Sequence, residues 1–450
     1  MPIRIVPKTP LNYYLIAFDA EGYERDESGT WVSQQVLKIL QNPDEPITDV
    51  FLMSHGWLGD VPAACDQYDK WIGGMVDLKG DLERMQQMRS PFRPLLIGLH
   101  WPSKPWGDED LESRGVSFSL TETTPVEQFV DEYAQRIADT EASRQALETI
   151  FQTARDEEVI VSSVLPQKVR LAYETLDQEA ALGNDGEGAA PGSDREAFDL
   201  DKISYALAQE EEIVSSRGLS WDGILAPLRI LSFWKMKDRA RQFGERGAFK
   251  LLADLQQVAS SEVRFHLMGH SFGCIVVSGM LAGPNDDNRL VRPVNSVALI
   301  QGALSLWSYC SDIPKMVLKP RPRPGYFHSI IAERKVKGAI ITTQSVFDTA
   351  VGKMYPYGAG IVYSDIDFAP GQLPNYGGLG TFGARGPGLE IVDMPMLLRD
   401  GSYQFEPGKI YNLESSKFIC DGTDGGLGGA HNDIAKPEVA HAVWSAAFSS

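Results

Sequence analysis

The residues of this chain best suited to chemistry lie in the segment Gly269-His270-Ser271-Phe272-Gly273. A serine hydroxyl becomes a useful nucleophile only when a base can take its proton, so it must stand where base and substrate both reach it. The apolar run 263–268 reads as a buried strand entering the segment, and Cys274-Ile275-Val276-Val277-Ser278-Gly279 leaves it as a small, apolar helix. A turn that sharp holds the serine in a strained backbone conformation, and glycines on both sides give the clearance it needs. Acyl transfer through a covalent intermediate is the chemistry such a serine supports. The plain alternative is an ordinary strand-to-helix turn whose serine caps the helix. A Gly-x-Ser-x-Gly match is common by chance; the flanking strand and helix are what favour the nucleophile.

The elements that must position this serine follow from composition and periodicity. With 450 residues, 43% hydrophobic and 23% charged, the chain is long enough for two structural units and a large core. Its longest apolar runs, 95–99 and 296–300, fall far short of the roughly 20 residues that span a bilayer. The N-terminal apolar stretch 13–18 leads into Asp19-Ala20-Glu21 without a small-residue cleavage site, so it reads as a first strand and not as a secretory signal. Cys65, Cys274, Cys310 and Cys420 show no paired spacing, which suits reduced thiols and a cytoplasmic protein.

The net charge of −19 is unevenly spread: residues 108–217 carry 26 acidic against 9 basic side chains. That shift divides the chain into residues 1–106, an acidic insertion at 107–220, and residues 221–450. In the first part, strands are expected at 11–18, Asp49–Ser54 and Pro94–His100, with one helix over 63–88. The insertion reads as helices, with Val126, Val130, Tyr133 and Ile137 sharing a face. Its Gly-rich run 183–192 looks too polar to pack, and a mobile loop is expected near 183–195. In the last part a helix over 233–256 is expected, then strands at 263–268, 296–301, 336–343 and 409–413, and a closing helix Pro437–Phe448. Strand, helix and strand in alternation argue for one α/β domain with a mostly parallel sheet, interrupted by the insertion. No internal repeat is visible.

The serine segment and its surroundings resemble the α/β-hydrolase superfamily, over nearly everything outside the insertion. That resemblance implies a central, mostly parallel sheet flanked by helices; the insertion, placed after the strand ending at His100, is expected as a helical, cap-like addition, and it departs from the many family members whose cap follows the nucleophile. It also implies a Ser, acid, His order along the chain, with the acid in a loop after a later strand and the histidine before the final helix. His328, His431 and His441 follow the serine; His431, ahead of the closing helix, matches the family position, while His441 inside that helix reads as a packed or surface residue. Asp348 is the first carboxylate after the strand at 336–343, with Asp365 and Asp367 as rivals; Asp433 reads as a cap of the last helix. The run His55-Gly56-Trp57-Leu58 after an early strand implies one oxyanion-hole donor, the Trp57 N–H, paired with that of Phe272. His55 and His270 are read as structural, and Cys274 as a small core residue.

Leu58, Leu304 and Tyr355 are the expected substrate-lining residues, in a cleft whose apolar and aromatic rim suits an acyl or aryl ester. Each aromatic there is equally explained by core packing. No cofactor is expected: Walker-type glycine loops, His-Glu-x-x-His and paired cysteines are absent from the sequence, and Asp421-Gly422-Thr423-Asp424 is too short for a calcium loop. The acidic balance disfavours nucleic acid and anionic lipid surfaces, leaving a small ester substrate; thioester, lactone and amide share the same chemistry, and the oligomeric state is open. The contrasting expectation is a catalytically silent scaffold whose acidic insertion binds a protein partner.

Overall fold

The structure is a computed structural model that describes residues 3–25, 29, 31–57, 59–103, 125–155, 165–201, 203, 221–284, 290–314, 323–354, 373–423 and 429–449. Strands form where the apolar runs are densest. Asp49–Ser54 (β3), Pro94–His100 (β4) and Arg264–His270 (β5) are buried along nearly their whole length, as parallel strands covered on both faces must be. Together with Ile3–Ile5 (β1), Asn12–Ala17 (β2), Ser296–Ile300 (β6), Ile340–Gln344 (β7), Ile391–Pro395 (β8) and Ile410–Glu414 (β9) they make a nine-stranded sheet. The strand order is β1-β2-β4-β3-β5-β6-β7-β9-β8. Only β1 is antiparallel to its neighbour; every other pairing is parallel.

Register shows which helices cover which face. Phe51 of β3 packs edge-on against Trp444 of the helix Pro437–Phe448, with ring centroids 5.9 Å apart. Met53, two residues on, pairs with Gly98, where a Cβ would lie 2.6 Å from the Tyr68 ring in the helix Val61–Asp77. Those two helices therefore share a face. Ser54 points the other way and pairs with Gly269, whose Cα lies against the start of the helix Gly273–Ala282. The helices thus lie on both faces of the sheet, and the protein is an α/β structure.

The expected strands are found, with shifts of a few residues at their ends. Two expected helices are divided. The one over 63–88 breaks at Leu78, whose ψ of 72° leaves the helical region, giving Val61–Asp77 and Lys79–Met88. The one over 233–256 begins earlier, as Trp221–Phe243, and passes through a π-helical turn, Gly244–Ala248, before Phe249–Val258. Glycines at both 244 and 247 weaken the regular helix there. The turn carries a buried Glu245, which accepts hydrogen bonds from Tyr326 at 2.6 Å and Arg241 at 2.7 Å.

The chain separates into two compact units: Met1–Ser103, Arg239–Gly352 and Gly377–Ser450 form the first, and Lys104–Asp238 with Lys353–Tyr376 the second. The second therefore runs past the expected boundary at 220 and takes in a later segment. Its described helices include Val126–Ile137, Glu141–Ala154 and Gln167–Ala180. Phe129, Val130, Tyr133, Ile137, Phe151 and Tyr173 lie in its core, so the expected apolar face is the buried one. The run at 183–195 differs from the expectation that it is too polar to pack: Glu187, Asp194 and Arg195 are buried within it. The charges find one another instead of needing apolar cover. Asp194 pairs with the fully buried Lys237, and Arg195 with Asp177 at 2.6 Å. Among the described residues no helix is long and apolar enough to cross a membrane.

Candidate active site

Ser271 stands at the turn between β5 and the helix Gly273–Ala282, with a left-handed φ of 54°. A residue with a Cβ pays for that conformation, and it persists only where the surroundings over-determine it. Here they do. The Ser271 N–H donates to the Ile300 carbonyl at 3.2 Å, and its own carbonyl accepts from Cys274 at 3.1 Å and Ala303 at 3.2 Å. Glycine at 273 is required by close approach, since a Cβ there would lie 2.3 Å from the Ser54 carbonyl oxygen. Gly56 is required for the same reason from the facing loop: a Cβ on it would lie 2.7 Å from the Ser271 Cβ. The two loops expected to surround the nucleophile are thus in contact at the serine.

Asp348 and His431, 83 residues apart, meet in a buried hydrogen bond of 2.8 Å between Nδ1 and Oδ2. Asp348 lies just beyond β7 and His431 in the short turn Ala430–Asn432, ahead of the last helix. Their loops are bound together by backbone pairing of Asp348 with Gly429, and by the Ala430 N–H donating to the Phe347 carbonyl at 2.9 Å. With Nδ1 committed to the carboxylate, Nε2 is the nitrogen left for proton transfer. Among the described residues no hydrogen bond joins His431 to the Ser271 hydroxyl. His270, the residue before Ser271, lies against His431: its ring centroid is 4.8 Å from that of His431, and its Nε2–H donates to the His431 carbonyl at 3.0 Å. Burial, then the neighbouring His431, holds the His270 pKa well below the ordinary histidine value, so His270 is a neutral brace for the histidine loop.

His55 is structural as well. Its Nδ1–H donates to the Gly56 carbonyl at 2.9 Å, and its ring stacks on Trp101 with centroids 5.7 Å apart. Burial pushes its pKa down to about 4, so it too stays neutral. Tyr68 shapes the same loop and was not apparent in the sequence. Its hydroxyl donates to the Leu99 carbonyl at 2.5 Å and accepts the His55 N–H at 2.9 Å, tying the ends of β3 and β4 together. Trp57 and Phe272, the expected oxyanion donors, lie together with ring centroids 5.8 Å apart. Cys274 is a core residue whose thiol pKa is raised by burial.

Leu304 is completely buried beyond β6, and Trp101 is likewise a core residue. Leu58, Tyr355, Asp365 and Asp367 lie outside the described residues. Asp433 does not cap the last helix. Its carboxylate accepts the Cys420 and Asp421 N–H groups at 3.1 and 2.8 Å and pairs with Lys436 at 2.7 Å. A helix that opens with Lys436 and Pro437 is started by the proline, which needs no partner for a missing N–H. Asp421 forms a local turn by accepting from the Thr423 N–H and hydroxyl at 3.0 and 2.7 Å. Gln301, the residue after β6, is a second direct partner of Asp348. Its only sequence signal is a polar side chain closing an apolar strand.

No protein-family model, curated protein or solved structure matches this chain.

Proposed function

We propose that the protein is a serine hydrolase of α/β-hydrolase type that cleaves a carboxylic ester through a covalent acyl intermediate. One observation carries this reading: the buried 2.8 Å pair of His431 and Asp348, braced through His270 against a serine held at φ 54°. Support also comes from the order of the residues along the sheet, with Ser271 after β5, Asp348 after β7 and His431 after β9.

In this mechanism His431 Nε2 takes the proton of Ser271 Oγ as the oxygen attacks the ester carbonyl. Asp348 holds the imidazole in the tautomer that bears its proton on Nδ1, and stabilises the imidazolium that forms. The Phe272 and Trp57 N–H groups serve the negative oxygen of the tetrahedral intermediate. Collapse breaks the ester C–O bond, and His431 returns the proton to the departing alcohol. Water, activated by the same histidine, then releases the acid. The short approach of Gly56 to Ser271 suits the oxyanion role of its loop, because only a loop this close can present a donor to the reacting carbonyl. Labelling with a fluorophosphonate tests the proposal: wild type takes up one phosphonate and Ser271→Ala takes up none. No uptake by wild type, or equal uptake by the variant, refutes it.

A further inference from the structure

We infer that Gln301 is a positioning residue of this site, aligning Asp348 for His431; the inference rests on the hydrolase reading and extends it to a residue with no role in the usual triad. Gln301 is completely buried and, like Ser271, adopts a left-handed backbone, with φ 45°. Its Nε2 donates to Asp348 Oδ2 at 2.8 Å, the same oxygen that accepts the His431 Nδ1–H at 2.8 Å, and to the Gly380 carbonyl at 3.1 Å.

The orientation of the amide follows from its partners. The Asp348 carboxylate and the Gly380 carbonyl only accept, so the NH2 faces them; Oε1 then faces Thr343 Oγ1, which donates to it at 2.8 Å and accepts the Gln301 backbone N–H at 2.9 Å. Reversing the amide would set its oxygen against the Asp348 carboxylate and the Gly380 carbonyl. Thr343 supports the orientation that points NH2 at Asp348 by donating to the amide oxygen. The remaining oxygen, Oδ1, accepts the Val351 N–H at 2.9 Å. Three donors from three segments thus meet one carboxylate, and two of them, Gln301 and His431, converge on a single oxygen. A carboxylate held at both oxygens cannot rotate, and the line from Oδ2 to His431 Nδ1 is set by the side chain just after β6 as well as by the histidine loop. The strained backbone of Gln301 has a purpose in this reading, as it turns the side chain from the end of β6 toward the loop after β7.

Gln301→Met, close in shape and without a donor, tests the role, with Thr343→Val as a second variant that leaves Gln301 in place but frees its amide. Two readouts are taken on folded protein: the rate of fluorophosphonate labelling, and the low-field proton NMR signal of the His431 Nδ1–H in its bond to Asp348. The expected result is labelling slowed about 10- to 100-fold in Gln301→Met and by a smaller factor in Thr343→Val, with the His431 signal shifted or broadened in both. If labelling and signal stay at wild-type values in either folded variant, the inference is overturned. Should wild type fail to label while the signal still moves, the hydrolase reading falls and the positioning of His431 by Gln301 stands.

Discussion

Two of the buried histidine–aspartate pairs in the first unit join through Nδ1 and are built almost alike, yet differ in one respect. His431 bonds Asp348 at 2.8 Å through Nδ1, and His441 bonds Asp81 at 2.7 Å through Nδ1. His441, however, also has its Nε2 against the Gly401 carbonyl at 3.0 Å, whereas no hydrogen bond to His431 Nε2 occurs among the described residues. An imidazole with both nitrogens occupied is a clamp: it joins the helix Pro437–Phe448 to the helix Lys79–Met88 and to the loop at Gly401. One with a nitrogen in reserve can carry a proton. The second nitrogen, and not the aspartate, separates a structural pair from a candidate catalytic one.

Replacing His431 should expose that contrast most strongly. His431→Ala is expected to lower ester hydrolysis about 10⁴- to 10⁶-fold, while His441→Ala leaves kcat of the folded protein within about twofold of wild type. Equal losses in the two variants would erase the distinction. Asp348→Asn comes next, with kcat reduced about 10⁴-fold and KM little changed, because the amide no longer favours the productive tautomer. The same exchange at Asp81 should affect urea unfolding and leave kcat alone.

The clamp itself is measured by stability. His441→Ala leaves the nearly buried Asp81 without its partner and should cost about 3–5 kcal/mol in urea unfolding. Another histidine sharpens the point, since His55 is buried with its Nδ1 on the Gly56 carbonyl and not on a carboxylate. Its folded pKa of about 4 lies below the ordinary value of about 6.5, so the unfolded state binds its proton first. The stability it contributes is present above pH ~6.5 and is lost as pH falls toward ~4, about 3 kcal/mol in all. His55→Asn should flatten that part of the stability-against-pH curve, and an unchanged slope would contradict it. The smallest effect is expected for Gly56→Ala, at about 1–3 kcal/mol, with labelling slowed because the new methyl meets the Ser271 Cβ.

How far the sequence could be read depended on the range of the forces involved. Asp49–Ser54 and Pro94–His100 were legible to the residue, because an uninterrupted apolar run bounded by turn residues has few other fates. Ile391–Pro395 was not legible: it is an edge strand, partly exposed, with no strong period. Ser271 was legible because its strand, its glycines and its helix are all local. Asp348 and His431 could be proposed only from position and resemblance, although their pairing in the structure is direct. Gln301 was hidden, since its partners at 343, 348 and 380 are brought to it by the sheet alone. The buried charges near Asp194 misled for a similar reason, as composition does not reveal that Lys237 lies opposite.

The most direct test of the central claim is mass-spectrometric mapping of the fluorophosphonate adduct across wild type, His431→Ala and His441→Ala. The account predicts a single adduct on Ser271, formed at the wild-type rate in His441→Ala and far more slowly in His431→Ala. An adduct on another residue, or one whose rate is the same with and without the His431 imidazole, would contradict it.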